Sequence, residues 1–88
     1  MNNRHHIVTI ANNFIRSDFG DCFKHSYLEM YCKIPKTILS KVRQRHRDLS
    51  YQHSCQLLIY LIKNNIQFPS LSIIIDTDGN ETLSIVYK

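Results

Sequence analysis

The residues best equipped for chemistry in this chain are its histidines and cysteines: His5, His6, Cys22, His25, Cys32, His46, His53 and Cys55. Cys22-x2-His25 and His53-x-Cys55 each have the residue types for two corners of a tetrahedral zinc site, which takes thiolate and imidazole ligands. No Cys-x2-Cys pair accompanies them. All three cysteines fall on or near apolar faces, where a free thiol behaves as a small hydrophobe. Neither zinc nor any other cofactor is therefore assigned. Cys22 and His25 also have the types of a thiolate nucleophile and its base, but nothing in the sequence suggests an oxyanion site, a glycine-rich phosphate loop or a substrate pocket. Asp76-x-Asp78-x-Asn80 has the spacing that opens a calcium loop, yet Glu81 stands where that loop needs glycine and Tyr87 where it needs its closing glutamate. That segment reads as a turn, and the chain as a non-enzyme.

Charge supplies a stronger signal than any motif. The 88 residues carry 11 Lys plus Arg against 7 Asp plus Glu, a net charge of +4. Lys33, Lys36, Lys41, Arg43, Arg45 and Arg47 crowd into the segment 33–47, which contains no acid. Like charges at helical spacing repel, a small cost per pair that folding has no reason of its own to accept. Such a run suits phosphates, carboxylates or an acidic protein surface. Solvated lysine and arginine stems lying over a core would give the same pattern. A second polar arc holds Gln52, His53 and Gln56, and side-chain amides are able to pair with base edges.

Elements must exist to position these groups. His6-Ile7-Val8-Thr9-Ile10 is β-branched and bounded by Asn12-Asn13, which predicts a strand at 6–10, although Ile7, Ile10, Phe14 and Ile15 also suit a helix. Phe19, Phe23, Tyr27, Met30, Tyr31 and Ile34 recur at steps of three and four, predicting a helix at about 21–33 that Pro35 ends. Ile38, Leu39, Val42 and His46 predict a second helix over 36–47. Ser50 is the natural N-cap of a third, over 51–64, broadly apolar and the most buried element. Alternating residues on either side of Asp76–Glu81 predict a hairpin of strands 71–77 and 82–88. The expected class is α+β in one domain spanning 1–88: three helices packed on a small antiparallel sheet.

The order of elements over 21–88 is similar to that of winged helix-turn-helix domains, with Arg47-Asp48-Leu49 where that family carries a small residue and glycine. Residues 28–62 also resemble the ribbon-helix-helix repressors. Met30, Cys32 and Ile34 alternate with Glu29, Tyr31 and Lys33 before Pro35, and Ser50 opens a later helix. That resemblance implies DNA reading by Glu29, Tyr31 and Lys33 on a strand, whereas the helical stripe from Phe19 to Ile34 is the better pattern. Neither resemblance assigns a family.

Two functions are carried forward. The first is a small DNA-binding regulator, helix-turn-helix-like and possible as a homodimer, with Lys33, Lys36, Lys41, Arg43, Arg45 and Arg47 on phosphates and Gln52, His53 and Gln56 near base edges. The second is an accessory protein of a phage or mobile element that docks on a larger protein assembly through exposed tyrosines. Ile74 and Val86 on the hairpin's polar face would suit sheet association. The odd cysteine number and the lack of a signal-peptide-like run predict reduced thiols and a cytoplasmic protein. The longest apolar stretch, Leu57 to Ile62, is far below the roughly 18 residues of a membrane span.

Overall fold

A computed structural model describes residues 3–18 and 20–86. Four helices and one hairpin follow in order: α1 (Asn3–Arg16), a 3-10 turn (Gly20–Cys22), α2 (His25–Cys32), α3 (Ile38–Arg43), α4 (Tyr51–Lys63), β1 (Leu71–Ile75) and β2 (Glu81–Ile85). The class is α+β, with one helix more than the sequence suggests.

The additional helix is α1, which replaces the strand expected at 6–10. Ile7, Ala11, Phe14 and Ile15 stand at the i, i+4, i+7, i+8 spacing of a helical stripe and are all buried. The apparent stop at Asn12-Asn13 misleads because Asn12 points inward. Its Nδ2 donates to the Val8 carbonyl at 2.8 Å and its Oδ1 accepts from the Leu49 N–H at 2.9 Å. Past α1, the Ser17 hydroxyl donates to the Phe14 carbonyl at 2.6 Å and accepts from the Gly20 N–H at 3.0 Å, folding the chain back on the helix end.

That return requires glycine for space rather than for conformation. A β-carbon at Gly20 would overlap the Phe14 carbonyl oxygen and lie 3.1 Å from the Phe14 carbonyl carbon and 3.3 Å from the Ile15 Cα. All three atoms belong to helix backbone and have nowhere to go. Gly20→Ala is therefore expected to cost on the order of 2–3 kcal/mol, as overpacking does in a filled core. Urea titration would register the loss, and an unchanged midpoint would contradict this packing. Beside the turn, Phe14 joins Phe23 (centroids 5.6 Å apart) to Phe68 (5.9 Å), tying the region before α2 to the approach to the hairpin.

Both middle helices are shorter than their periodicity predicts. The helix expected at 21–33 begins only at His25, because 20–22 form the 3-10 turn. It closes with Lys33 in the left-handed region (φ 58°). The helix expected over 36–47 keeps only Ile38–Arg43. The Val42 carbonyl accepts from the Arg45 N–H at 3.0 Å and from Arg16 Nε at 2.9 Å. Arg45 turns to φ 64°, and this closure ends the α-helix inside the repelling cationic run. Because residues 28–32 are helical, the strand that a ribbon-helix-helix reading needs is not formed.

Helix α4 matches its expected span. The Ser50 hydroxyl accepts from the His53 N–H at 3.2 Å as the N-cap. Leu57, Leu58 and Leu61 are fully buried, and α4 packs most extensively on α1, then on α2 and β2. The hairpin pairs Leu71 with Ile85, Ile73 with Leu83 and Ile75 with Glu81 in an antiparallel register. Its strands are shorter than the expected 71–77 and 82–88, of which residues 87–88 lie outside the described residues. Asp76 shapes the turn, its Oδ1 accepting from the Asp78 and Asn80 N–H groups at 2.9 Å each, with Gly79 at φ 85°. The carboxylate read as a calcium-loop opening thus holds its own backbone. None of the described helices is long and apolar enough to cross a membrane.

Candidate nucleic-acid interface

Of the cations named from sequence, Lys33, Lys36, Lys41, Arg45 and Arg47 are exposed. What makes them a surface is the fate of the neighbouring acids. Glu29 is only 8% exposed, and its Oε2 accepts from the Leu39 N–H at 3.0 Å, satisfying a free amide in the first turn of α3. Asp48 sits 2.8 Å from the Arg16 guanidinium. Of the two acids flanking the cationic run, Glu29 is buried and Asp48 is exposed but paired with Arg16, and the segment 33–47 itself carries only positive charge.

Arg43 departs from the sequence reading. It is half-buried, and its guanidinium donates to the carbonyl of Arg16 at the end of α1. Its role here is to close α3 against α1. Arg16 answers from the other side, with Nη2 donating to the Arg47 carbonyl at 3.0 Å and to Asp48 Oδ1 at 2.8 Å. Together with Asn12 on Leu49, these bonds fix the path of the 44–50 loop. That loop is longer than the tight turn of a helix-turn-helix, so the connection from α3 to α4 does not follow that motif.

The three polar readers on α4 separate. Gln52 is exposed in the first turn, whereas His53 and Gln56 are half-buried. His53 Nδ1 and Gln56 Oε1 are sealed from solvent without a hydrogen-bond partner among the described residues. Gln56 borders a hollow of about 590 Å³ between α2, α4 and the hairpin, with Lys33 and Lys63 at its rim. Tyr31 and Tyr60 stack there, ring centroids 5.7 Å apart and planes 8° from parallel. Lys63 pairs with Glu81 at 2.5 Å. Lys36 borders a different and mostly apolar hollow of about 800 Å³ between α2 and α3.

Compared with known proteins, the chain matches no family model, no curated protein and no solved structure.

Zinc finds no support in the side-chain arrangement. Among the described residues no three His, Cys, Asp or Glu side chains gather closely enough to hold a metal ion, so Cys22, His25, His53 and Cys55 do not assemble a site. The cysteines differ in setting: Cys22 is exposed, Cys55 intermediate and Cys32 buried. Burial raises the Cys32 thiol from 9.0 to about 11. Burial also raises Cys55, with a hydrogen bond from Tyr51 and the charge of Arg4 acting against it. Since only the thiolate reacts, a maleimide near neutral pH should label Cys22 first and Cys32 only on unfolding. Equal native rates for the two would contradict the burial of Cys32. The raised value means that the fold favours the protonated thiol. Its contribution to stability is complete below pH 9.0 and is lost as the pH rises through about 11.

Sequence reasoning missed Asn12, Arg16 and Glu29, which shape the loop and the start of α3. Only Asn12 left a trace, as a polar residue three positions before Ile15 and one after Ala11 in an otherwise apolar stripe.

Proposed function

We propose that this chain is a small, non-enzymatic, cytoplasmic DNA-binding regulator that grips the phosphate backbone with Lys33, Lys36, Lys41, Arg45 and Arg47. One observation carries the reading: these exposed cations have no free acid beside them, Glu29 being buried on the Leu39 amide and Asp48 held by Arg16. A surface on which exposed cations outnumber unpaired acids attracts polyanions and gains counterion-release entropy on meeting them. Gln52, exposed at the start of α4, is the residue best placed for base contacts, whereas half-buried Gln56 and His53 are less accessible for that role.

Anisotropy titration of a labelled duplex of about 20 base pairs, at roughly 50 and 200 mM salt, tests the reading. Five phosphate contacts correspond to a log–log salt slope of about −4 to −5. Absence of binding to any duplex at the lower salt would remove the proposal. A homodimer would present twice the phosphate contacts. Light scattering with and without duplex reports that stoichiometry.

An accessory role on a larger protein assembly has its own supporting observation. Tyr27, Met30 and Tyr31 are 56%, 61% and 60% exposed on one face of α2, a concentration of hot-spot residue types that phosphate binding leaves unused.

A further inference from the structure

The face of α2 is built differently from the cationic loop. Tyr27, Met30 and Tyr31 stand at i, i+3 and i+4, so their side chains form one continuous patch. Each is more than half exposed, in a protein whose fully buried leucines and isoleucines lie elsewhere. On the Met30 side the patch runs into the 800 Å³ hollow floored by Ile34 and Pro35. On the Tyr31 side it meets the hollow shared with Tyr60. Tyrosine contributes broad, rigid contact area, and methionine adapts to irregular partners.

Lysines outnumber acids around the patch. Lys24 lies over the Tyr27 ring, its Nζ 5.5 Å from the centroid. Lys36 rims the Met30 hollow and Lys33 the Tyr31 hollow. Two acids also line these hollows: Glu29, buried and accepting from the Leu39 amide, and Glu81, paired with Lys63. Two copies placed face to face here would oppose three lysines with three lysines, which disfavours self-association.

We infer that the α2 face, with its flanking hollows, binds an acidic amphipathic helix of a partner protein. Apolar side chains of that helix enter between Met30, Ile34 and Pro35, and its carboxylates meet Lys24, Lys33 and Lys36. Helix-in-groove recognition works in this way, with apolar residues on one face as anchors and charge setting specificity. The surface shares Lys33 and Lys36 with the phosphate-binding reading but not Lys41, Arg45 and Arg47, so substitutions at those three and at Met30 tell the two kinds of contact apart.

Two synthetic, fluorescein-labelled helical peptides of about 18 residues serve as probes. They share leucines at i, i+3, i+4 and i+7 and differ in having glutamate or lysine at the remaining positions. The acidic peptide should bind in the micromolar range and the basic one at least about tenfold more weakly. Met30→Glu and Tyr31→Ser should each weaken the acidic peptide about tenfold or more. Ile74→Ser on the hairpin, and neutralisation of Lys41, Arg45 and Arg47, should leave it within about twofold. Thermal melts of each variant confirm that the exposed substitutions keep the fold. Equal affinity for the two peptides, binding by neither, or loss of binding in Ile74→Ser would overturn the assignment. A dimer mass abolished by Met30→Glu would give the face to a second copy instead. A duplex bound in a Met30-dependent manner would give it to nucleic acid.

Discussion

Replacing Asn12 with alanine should lower stability by about 3 kcal/mol and Tm by roughly 10–20 °C. The reason is the Leu49 N–H, which donates to Asn12 Oδ1 at 2.9 Å on a residue that is 2% exposed. No water reaches that amide, so deleting the acceptor leaves a buried donor unsatisfied. The vacated volume beside Ala11 and Ile15 adds a cavity contribution. Asn12→Leu separates the two effects, since it fills the space and still lacks the acceptor. A urea midpoint that falls in both variants with an unchanged m-value assigns the loss to the hydrogen bond. Should Asn12→Leu be as stable as the parent, the bond contributes little and packing alone explains the site. Against a typical net stability of about 5–15 kcal/mol, the alanine variant would be markedly weakened.

Converting Lys41, Arg45 and Arg47 together to glutamine should weaken duplex binding by about 100-fold or more at moderate salt and flatten the salt slope by roughly three. Every duplex sequence should be affected alike, because phosphate contacts position a protein without reading bases. Stability should hardly change. All three side chains are exposed, and the bonds that fix this loop come from the Val42 and Arg47 carbonyls, the Leu49 amide and Asp48. Arg43→Gln is the informative contrast. Its guanidinium binds the Arg16 carbonyl, so its loss should show in the melting curve more than in the salt slope. A triple variant that binds duplex as tightly as the parent would end the nucleic-acid reading.

Local signals were legible where local chemistry decides. Ser50 announced the start of α4, and its hydroxyl does accept the His53 amide. Pro35 marked the break after α2, and Asp76 with Gly79 the hairpin turn. What escaped was set by partners distant along the chain. The α1 helix hid behind Asn12, whose inward turn is explained only by Leu49. The early end of α3 depends on Arg16 reaching the Val42 carbonyl across 26 positions. Glu29, an outward strand residue under the ribbon-helix-helix resemblance, is instead buried at the head of α3. The cationic run could be read as composition, but that Arg43 faces inward while Lys41 and Arg45 face solvent follows from tertiary packing. Gln56 illustrates the same limit: its place on a polar arc was visible, but the sealing of its Oε1 beside a hollow lined by Tyr31 and Tyr60 was not.

Arg16 has one more implication. A single guanidinium at the end of the first helix grasps Val42, Arg47 and Asp48, so the shape of the basic loop is borrowed from a segment far upstream. Excised as a peptide, residues 33–64 would keep every cation of the run and lose the mould that arranges them. Swapping this stretch into another scaffold should therefore transplant the charge without the shape, unless the first helix travels with it.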